Sequence, residues 1–270
     1  MKKHFSTIIL ILIFFVGLSV LLYPTVSNWW NSRVQTKAIL DYEEAIAAMS
    51  EKDYDNEFAS ADAYNAGLRS LANPLTGYDK LSGYEDILNI NGDGVIGYIT
   101  IERINVELPI YHGTSEEILN VAAGHLRGTS FPVGGEGTHA VLSAHRGLPS
   151  AKLFSNLDQL QEGDTYTIKI LNRLLTYEVD QIRIVLPEEV DDLTITDGMD
   201  YCTLLTCTPY GINTHRLLVR GHRVENAKSA GTNVTIDALQ IEPFLIAPMI
   251  AIPILLILFV VLLVKGRHRK

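Results

Sequence analysis

Residues 201–224, YCTLLTCTPYGINTHRLLVRGHRV, decide the fold class of this chain. Residues 201–208 and 215–224 alternate with the two-residue period of a half-buried β-strand. The six residues between them include proline, glycine and asparagine, which favour a turn, so the stretch predicts a β-hairpin. If the hairpin closes symmetrically, Cys207 faces Arg216 and Thr208 faces His215, and each facing pair shares one side of the sheet.

The same strand-like pattern extends over residues 95–225, where short β-branched runs are separated by Gly, Pro, Asn and Asp. Short helices are predicted near residues 115–121 and 150–161. Because no regular helix separates successive strands, the pattern favours an antiparallel barrel or sandwich over a parallel sheet. The further candidate strands are residues 95–104, 139–144, 166–171 and 174–185.

Residues 27 to about 72 are predicted to be helical, because apolar residues recur there at steps of three and four. The sequence Asn73-Pro74-Leu75-Thr76-Gly77 ends this helix, since proline and glycine interrupt helices. A turn-rich linker is predicted to continue to Gly97.

Apolar residues are also concentrated near both ends of the chain. The 270 residues carry a net charge of -9 and a mean hydropathy of +0.15, which is high for so acidic a protein. Residues 5–23 and 244–264 contain no Asp, Glu, Lys or Arg, and each run is long enough for a membrane-spanning helix of about 20 residues. These runs exclude an ordinary cytosolic protein. The ample apolar content excludes disorder, and the presence of only Cys202 and Cys207 excludes a disulfide scaffold.

Basic residues flank both apolar runs and predict their orientation. Lysines occupy positions 2 and 3, and residues 265–270 contain four Lys or Arg. Since lysine and arginine favour the cytoplasmic side, both termini are expected inside the cell and the acidic middle outside. The first run has an alternative interpretation as a cleaved signal peptide. Its length favours retention, and no clear small-residue cleavage site follows it.

Cys207 is the better candidate nucleophile of the two cysteines. It ends its predicted strand just before a turn, whereas Cys202 lies mid-strand on the opposite face, as a small buried residue. A disulfide between them is therefore not expected. A guanidinium from Arg216 beside the sulfur can favour a thiolate or hold an oxyanion. Arg220 shares that face but lies about 13 Å further along the strand, so Arg216 is preferred.

His145 is the preferred candidate for the general base. It closes the alternating run 139–145 and therefore lies at a strand end, as Cys207 does. His139 and His222 are each about 20 Å away along their strands. The histidines outside the apolar runs form no zinc pattern, and the sequence contains no phosphate loop or dinucleotide fingerprint.

Three segments resemble those of sortases, the membrane-tethered cysteine transpeptidases of Gram-positive cell surfaces. Residues 203–207, Thr-Leu-Leu-Thr-Cys, match the Thr-Leu-x-Thr-Cys signature of the family. Residues 143–147, Ser-Ala-His-Arg-Gly, are similar to its histidine segment, and residues 215–221, His-Arg-Leu-Leu-Val-Arg-Gly, to its arginine strand. The resemblance covers roughly residues 80–225. The long helical N-terminal region and the second apolar run are further similar to the class C, pilus-assembling branch.

The resemblance implies an eight-stranded sortase β-barrel with N-terminal helices and a lid, flanked by two transmembrane helices. It implies that Cys207 attacks the Thr-Gly carbonyl of a Leu-Pro-x-Thr-Gly-like sorting signal, that His145 is the general acid and base, and that Arg216 holds the oxyanion. The implied partners are pilin subunits with a C-terminal sorting signal and a pilin lysine as the acceptor, at the cell membrane. No metal, organic cofactor or nucleic acid is expected.

The predicted lid departs from the class C pattern. Enzymes of this class usually carry Asp-Pro-aromatic in the lid, with the aromatic ring on the cysteine and the carboxylate on the arginine. The matching residues here are Asn73, Pro74 and Leu75. Because asparagine is neutral and leucine has no aromatic ring, a looser lid or a differently docked one is expected.

Three alternatives to pilus assembly stay open from the sequence. They are a sortase that joins proteins to peptidoglycan, a hydrolysing cysteine protease, and an inactive surface module that binds pilins. The papain-like signature around the cysteine is absent, which argues against the protease. The predicted segments are an N-terminal transmembrane or signal-anchor segment (1–26), a helical region (27–94) with the lid at about 73–78, a catalytic barrel (95–228), a linker (229–243), a second transmembrane helix (244–264) and a basic cytoplasmic tail (265–270).

Overall fold

The computed structural model of the protein describes residues 2–226 and the single residue Pro253. The described residues fall into two compact units, with the boundary between Trp30 and Asn31. The second unit contains all of the β-structure. Its strands are β1 (Val95–Ile101), β2 (Val106–His112), β3 (Ala123–His125), β4 (Thr138–Ser143), β5 (Thr165–Ile170), β6 (Arg173–Val185), β7 (Asp200–Thr208) and β8 (His215–Val224).

The eight strands form a closed barrel, which confirms the predicted architecture. Around the barrel they follow the order β1, β2, β3, β4, β7, β8, β6 and β5, and β5 pairs with β1 to close it. Two neighbouring pairs are parallel, β2 with β3 and β4 with β7, so the prediction of an antiparallel barrel is wrong for these pairs. The β4–β7 pair is parallel because the chain leaves β4, forms the antiparallel β5–β6 pair, and returns beside β4 in the same direction.

The sequence pattern misses β2 and β3. β2 contains Pro109, and proline normally argues against a central strand because it has no backbone N–H. In the barrel, Pro109 lies opposite Tyr98 of β1. β3 has only 3 residues, which is too short to show a period.

Two long helices precede the barrel, α1 (Lys2–Ala47) and α2 (Glu51–Arg69). Residues 27–72 are mainly helical, as predicted, but α1 also includes the first apolar run and the chain breaks at residues 48–50 before α2. Ser50 marks the break as a capping box, in which the Asp53 backbone N–H donates to Ser50 Oγ at 3.3 Å and the Ser50 backbone N–H donates to Asp53 Oδ2 at 2.9 Å. Such reciprocal bonds satisfy the free N–H groups of a helix start.

The remaining helical segments are short. The helix predicted near residues 115–121 is present as α4, whereas the one predicted over 150–161 is only a single 3-10 turn. Leu153 has a φ of 42°, a left-handed conformation that cannot continue an α-helix. The short helices are α3 (Pro74–Gly77) and α4 (Glu116–Leu119), and the 3-10 turns are Tyr78–Lys80, Glu102–Ile104, Leu157–Gln159 and Asp191–Leu193.

The helical region packs onto the barrel within the second unit. Phe58 and Leu68 of α2 are buried in the main core cluster. From α1, the Tyr42 hydroxyl donates to the Ile96 carbonyl at 3.1 Å and accepts from the Leu171 N–H at 2.8 Å. Each large apolar side chain buried in this way contributes about 2 kcal/mol to the stability of the folded state. These contacts therefore hold α2, and with it the start of α3, against the barrel.

The N-terminal part of α1 is apolar and exposed. Within Ile11–Ala47, an 18-residue window has a mean hydropathy of 1.8 and no buried residues, so this helix is long and apolar enough to cross a membrane. It is the one helix of residues 2–226 with this property. A membrane anchor and a signal sequence both have this character. The second predicted span, the linker before it and the basic tail lie outside the described residues, apart from Pro253.

Candidate active site

The β7–β8 hairpin places Cys207 directly opposite Arg216 and Thr208 opposite His215, which confirms the predicted register. Side chains alternate along β7, so Cys202 points into the barrel and Cys207 away from it. Cys202 is completely buried, and burial raises the pKa of its thiol. Cys207 is partly exposed, and both cysteines are free. Of the two, only Cys207 is placed to meet a substrate.

His145 follows the end of β4, which runs parallel to β7. The last pair of this ladder is Ser143 with Leu205. His145 lies two residues after Ser143, and Cys207 lies two residues after Leu205. If the same register continues past the ladder, His145 is opposite Cys207. Hydrogen bonds carry the pairing past the ladder, from Ala144 N–H to the Leu205 carbonyl at 3.2 Å and from the Thr206 hydroxyl to the Ala144 carbonyl at 2.8 Å. The three candidate residues therefore form one row across adjacent chain segments.

Arg146 is a residue of this region that sequence reasoning missed. Its side chain is only 9% exposed, and Nη2 forms an ion pair with Asp158 Oδ2 at 2.6 Å. Nη1 donates to the Thr208 hydroxyl at 3.3 Å. Arg146 directly follows His145, and Thr208 directly follows Cys207. The bond between them therefore links the two segments that carry the candidate base and nucleophile. Its position directly after the candidate base is the one signal in the sequence that could have identified it.

The loop after His145 is held in a defined shape. The His145 carbonyl accepts a hydrogen bond from Phe154 N–H at 3.1 Å. Gly147 has a φ of 77°, which favours glycine, and a Cβ there would lie 2.9 Å from the ring of Tyr210. The Gly147 backbone therefore packs closely against the β7–β8 loop, which carries Tyr210. These contacts restrict how far His145 can move from Cys207.

Arg216 and Arg220 differ in what their guanidinium groups contact. Arg216 Nη1 donates to the carbonyls of Asn213 and His215 at 3.2 and 3.1 Å. Among the described residues no carboxylate pairs with Arg216. Arg220 instead forms two bonds to Asp180, at 3.0 and 3.1 Å, and stacks on the Tyr201 ring. Within residues 2–226 the positive charge of Arg216 is therefore not paired with a carboxylate, whereas that of Arg220 is paired with Asp180.

The other buried histidines have structural partners. His139 Nδ1 donates to the Thr194 carbonyl at 2.9 Å and its Nε2 accepts from the Thr203 hydroxyl at 2.7 Å. His125 is completely buried, and burial lowers its pKa to about 4. Burial also lowers the pKa of His112. His125 and His139 are satisfied neutral rings. Both ring nitrogens of His112 face carbonyl oxygens, of Gly94 at 3.2 Å and Ile87 at 2.8 Å, and a neutral ring donates to only one of them. Within residues 2–226 no group of three or more His, Cys, Asp or Glu side chains is arranged to hold a metal.

Leu75 of the lid lies over the face of the sheet that carries Cys207. It packs against an apolar group that we call the groove cluster, formed by Val141, Val185, Leu193 and Leu218 with Leu126 and Leu205 at its edge. Leu205 and Leu218 are paired, one rung from Cys207 and Arg216, which is about 7 Å along the strands. The lid thus packs on an apolar cluster that begins one rung from the candidate nucleophile.

The rest of the lid makes few specific contacts with the site. Asn73 is the N-cap residue of α3, but its side chain forms no capping hydrogen bond. The Pro74 carbonyl and Leu75 Cα lie against Gly128, where a Cβ would approach both to 3.0 Å. Beyond α3, the Arg127 guanidinium lies 5.1 Å from the Tyr78 ring and 4.0 Å from Asp79. The lid is therefore docked through Leu75, its backbone and Arg127.

Comparison with known proteins identifies the family. The sortase domain model matches residues 99–224. Sortase C1 from Streptococcus agalactiae is 51% identical, with a TM-score of 0.67 over 70% of this chain and 99% of that one. The structure of Streptococcus pneumoniae sortase C, described with its pilin substrate specificity, is 44% identical, with a TM-score of 0.63 over 70% and 97%. Clostridium perfringens sortase C with the C-terminal cell wall sorting motif is 46% identical, with a TM-score of 0.62 over 71% and 100%.

The first curated relatives, which are also sortases, are matched over 63% and 47% of their own length. The solved structures, by contrast, are matched over 97–100% of their own length. The chain therefore belongs to the sortase family, in the class C branch of the solved structures that it resembles.

Proposed function

We propose that this protein is a transpeptidase that cleaves a Leu-Pro-x-Thr-Gly-like sorting signal between Thr and Gly and transfers the new acyl group to a lysine of a pilin subunit. The observation that carries the proposal is the row of His145, Cys207 and Arg216, formed by the segment that follows β4 and by strands β7 and β8. A base, a nucleophile and a cation in register on one partly exposed face are the groups that acyl transfer requires.

The row supports a two-step mechanism. The Cys207 thiolate attacks the threonine carbonyl, and Arg216 stabilises the resulting oxyanion. The Thr–Gly bond then breaks, His145 gives its proton to the leaving amine, and a thioester remains on Cys207. In the second step His145 takes a proton from the lysine amine as this attacks the thioester. The product is an isopeptide bond, and the cysteine is released.

The groove cluster supports the binding of an extended apolar segment beside Cys207. Leu75 occupies it here, so a sorting signal must displace the lid before it can bind. Such displacement is compatible with the contacts of Asn73, which forms no side-chain cap. We propose that Asn73, Pro74 and Leu75 are the residues of the lid that cover the site.

We also propose that the barrel acts outside the cell while both termini lie inside, with the segment boundaries predicted from the sequence. The exposed apolar α1 supports the N-terminal anchor. Substrates that carry their own membrane anchors would then reach the enzyme by diffusion in the plane of the membrane. N-terminal sequencing of the mature protein tests whether residues 1–26 are retained.

The discriminating experiment incubates the full-length protein with a pilin that carries the sorting signal, alongside the Cys207→Ala variant. Ladders of cross-linked pilin that require Cys207 support pilus polymerisation. Cleavage without ladders points to a hydrolase, and binding without either product points to an inactive scaffold. Attachment to added peptidoglycan stem peptide, with no pilin ladders, points to a cell-wall anchoring sortase.

A further inference from the structure

The lid contains a sequence that matches the proposed substrate of the enzyme. Asn73-Pro74-Leu75-Thr76-Gly77 shares Pro-x-Thr-Gly with the Leu-Pro-x-Thr-Gly sorting signal and differs from it only in the first residue. None of the other nine prolines in the 270 residues begins a Pro-x-Thr-Gly sequence. The match lies in the lid, which packs on the groove cluster.

The position of the segment brings this match close to the chemistry. Leu75, which occupies the x position, packs on the groove cluster, in which Leu205 and Leu218 form one paired rung. That rung is about 7 Å from the Cys207–Arg216 pair. Thr76, whose carbonyl would be attacked, is the next residue.

The local fold does not account for the residues that complete the match. Gly77 has a φ of -104°, which any residue adopts. A Cβ on Gly77 would make an ordinary contact of 3.6 Å with Leu71. Thr76 is exposed, and Asn73 makes no side-chain cap. Neither backbone conformation nor packing requires Thr-Gly at this point, whereas a cleavage site does.

We propose that the lid is a built-in substrate, and that Cys207 cleaves the Thr76–Gly77 peptide bond of its own chain when α3 unwinds. This inference rests on the proposed function, because it uses the same nucleophile and sorting signal. Its product is a chain cut between α2 and the barrel.

The reaction is balanced by the groups already named. The Cys207 thiolate forms a thioester with the Thr76 carbonyl, the Thr76–Gly77 bond breaks, and Gly77 leaves as an amine that receives its proton from His145. Water or an amine then attacks the thioester and releases Cys207. Residue 76 ends as a carboxylate or an amide, and Gly77 becomes a new N-terminus.

The closed lid keeps this reaction slow. In α3 the Gly77 N–H donates to the Asn73 carbonyl at 2.9 Å, and a helical turn does not present its peptide bond as an extended substrate does. Leu75 must also leave the groove cluster. Cleavage therefore depends on how often the lid opens, and weakening the Leu75 contact should accelerate it about tenfold, since a half-buried leucine contributes about half of the usual free energy of burial.

The test uses the full-length protein in detergent micelles, with triglycine as the acceptor and a separate Leu-Pro-x-Thr-Gly peptide in the same tube. Intact-mass spectrometry should detect residues 1–76 extended by triglycine and a fragment beginning at Gly77. Cys207→Ala should give neither. Leu75→Ala keeps the Pro-x-Thr-Gly sequence and should be cut about tenfold faster. Thr76→Val with Gly77→Ala, at positions where the fold tolerates both changes, should stay intact while it still cleaves the peptide.

Cleavage of the separate peptide distinguishes failure of the built-in substrate proposal from failure of the proposed transpeptidase function. If the peptide is cleaved but the lid stays intact in both the wild type and Leu75→Ala, the built-in substrate is overturned and the proposed function stands. If neither is cleaved, both are overturned. A cleavage rate constant that rises with protein concentration contradicts cleavage within one chain, which requires a rate constant independent of dilution.

Discussion

Arg146 bridges the two segments that carry the candidate base and nucleophile, with Nη1 donating to the Thr208 hydroxyl at 3.3 Å. Its Nη2 is held by Asp158 at 2.6 Å, so the guanidinium is fixed between a carboxylate and the strand that carries Cys207. We regard Arg146 as a positioning residue, since it acts through His145 and Cys207 and not on the substrate.

Arg146→Gln should lower kcat by about 10- to 100-fold with little change in KM, because a charge-assisted hydrogen bond contributes about 1.5–3 kcal/mol. Arg146→Lys should recover only part of the loss, since one ammonium cannot span both partners. Steady-state kinetics with a sorting peptide measures both effects. The control is Arg103→Gln, which removes an ion pair to Asp164 of 3.0 Å near β1 and β5. An equal loss of kcat in the control would contradict the positioning role.

Replacement of Arg216 by Gln should affect catalysis, whereas replacement of Arg220 by Gln should affect thermal stability. Arg216→Gln should lower kcat by about 100- to 1,000-fold, as the loss of an oxyanion donor does, with little change in Tm. Arg220→Gln should lower Tm instead, because it leaves Asp180 without its partner. Kinetics and thermal unfolding of both variants provide the comparison. A large kcat loss for Arg220→Gln with none for Arg216→Gln would reverse the assignment.

The lid should close more tightly if the usual class C residues are restored. In Asn73→Asp with Leu75→Trp, a carboxylate can pair with Arg216 and an indole can cover Cys207. We expect alkylation of Cys207 by iodoacetamide to slow by about tenfold, the effect of about 1.4 kcal/mol of added lid stability. Equal alkylation rates in the two proteins would show that Asn73 and Leu75 do not determine lid closure.

Stability should fall on acidification through the titration of His125. Its pKa in the folded protein is about 4, below its value of 6.5 in the unfolded chain. Between these two pH values the unfolded state therefore binds more protons, so this contribution is complete above pH 6.5 and is lost as the pH falls to about 4. The loss amounts to about 3 kcal/mol.

Denaturant unfolding of the full-length protein at several pH values between neutral and 4 measures this dependence. In His125→Asn the free energy of unfolding should depend less steeply on pH over that range. The variant is also less stable at neutral pH, because the imidazole ring stacks on Phe131 in the wild type. The pKa of His112 is lowered as well, so its contribution to the pH dependence of the free energy of unfolding remains in the variant. An identical slope in both proteins would exclude His125 as the main titrating group.

The hairpin was predictable from sequence because both of its strands are regular. Cys207 and Arg216 lie an equal number of residues from the centre of a symmetric loop, so their pairing follows from counting. Pairing of His145 with Cys207 depends on the parallel β4–β7 contact, which joins strands about 60 residues apart and has no local signal. That relationship required the three-dimensional structure.

Other features escaped prediction for specific reasons. Pro109 concealed β2, and the left-handed Leu153 shortened the helix predicted over residues 150–161. Arg146 bonds across a gap of 62 residues to Thr208, a contact that no periodic pattern records. The lid was expected from resemblance alone, and its docking through Leu75 depends on how four strands converge in the groove cluster.

Trapping of the thioester tests the central claim most directly. The full-length protein is incubated with a sorting peptide in the absence of an amine acceptor, quenched in acid and mapped by mass spectrometry. We predict an acyl group that ends at the peptide threonine on Cys207, and no adduct on Cys202, which is completely buried with a raised pKa. An acyl adduct on Cys202, or continued cleavage of the peptide by Cys207→Ala, would contradict the assignment of Cys207 as the nucleophile.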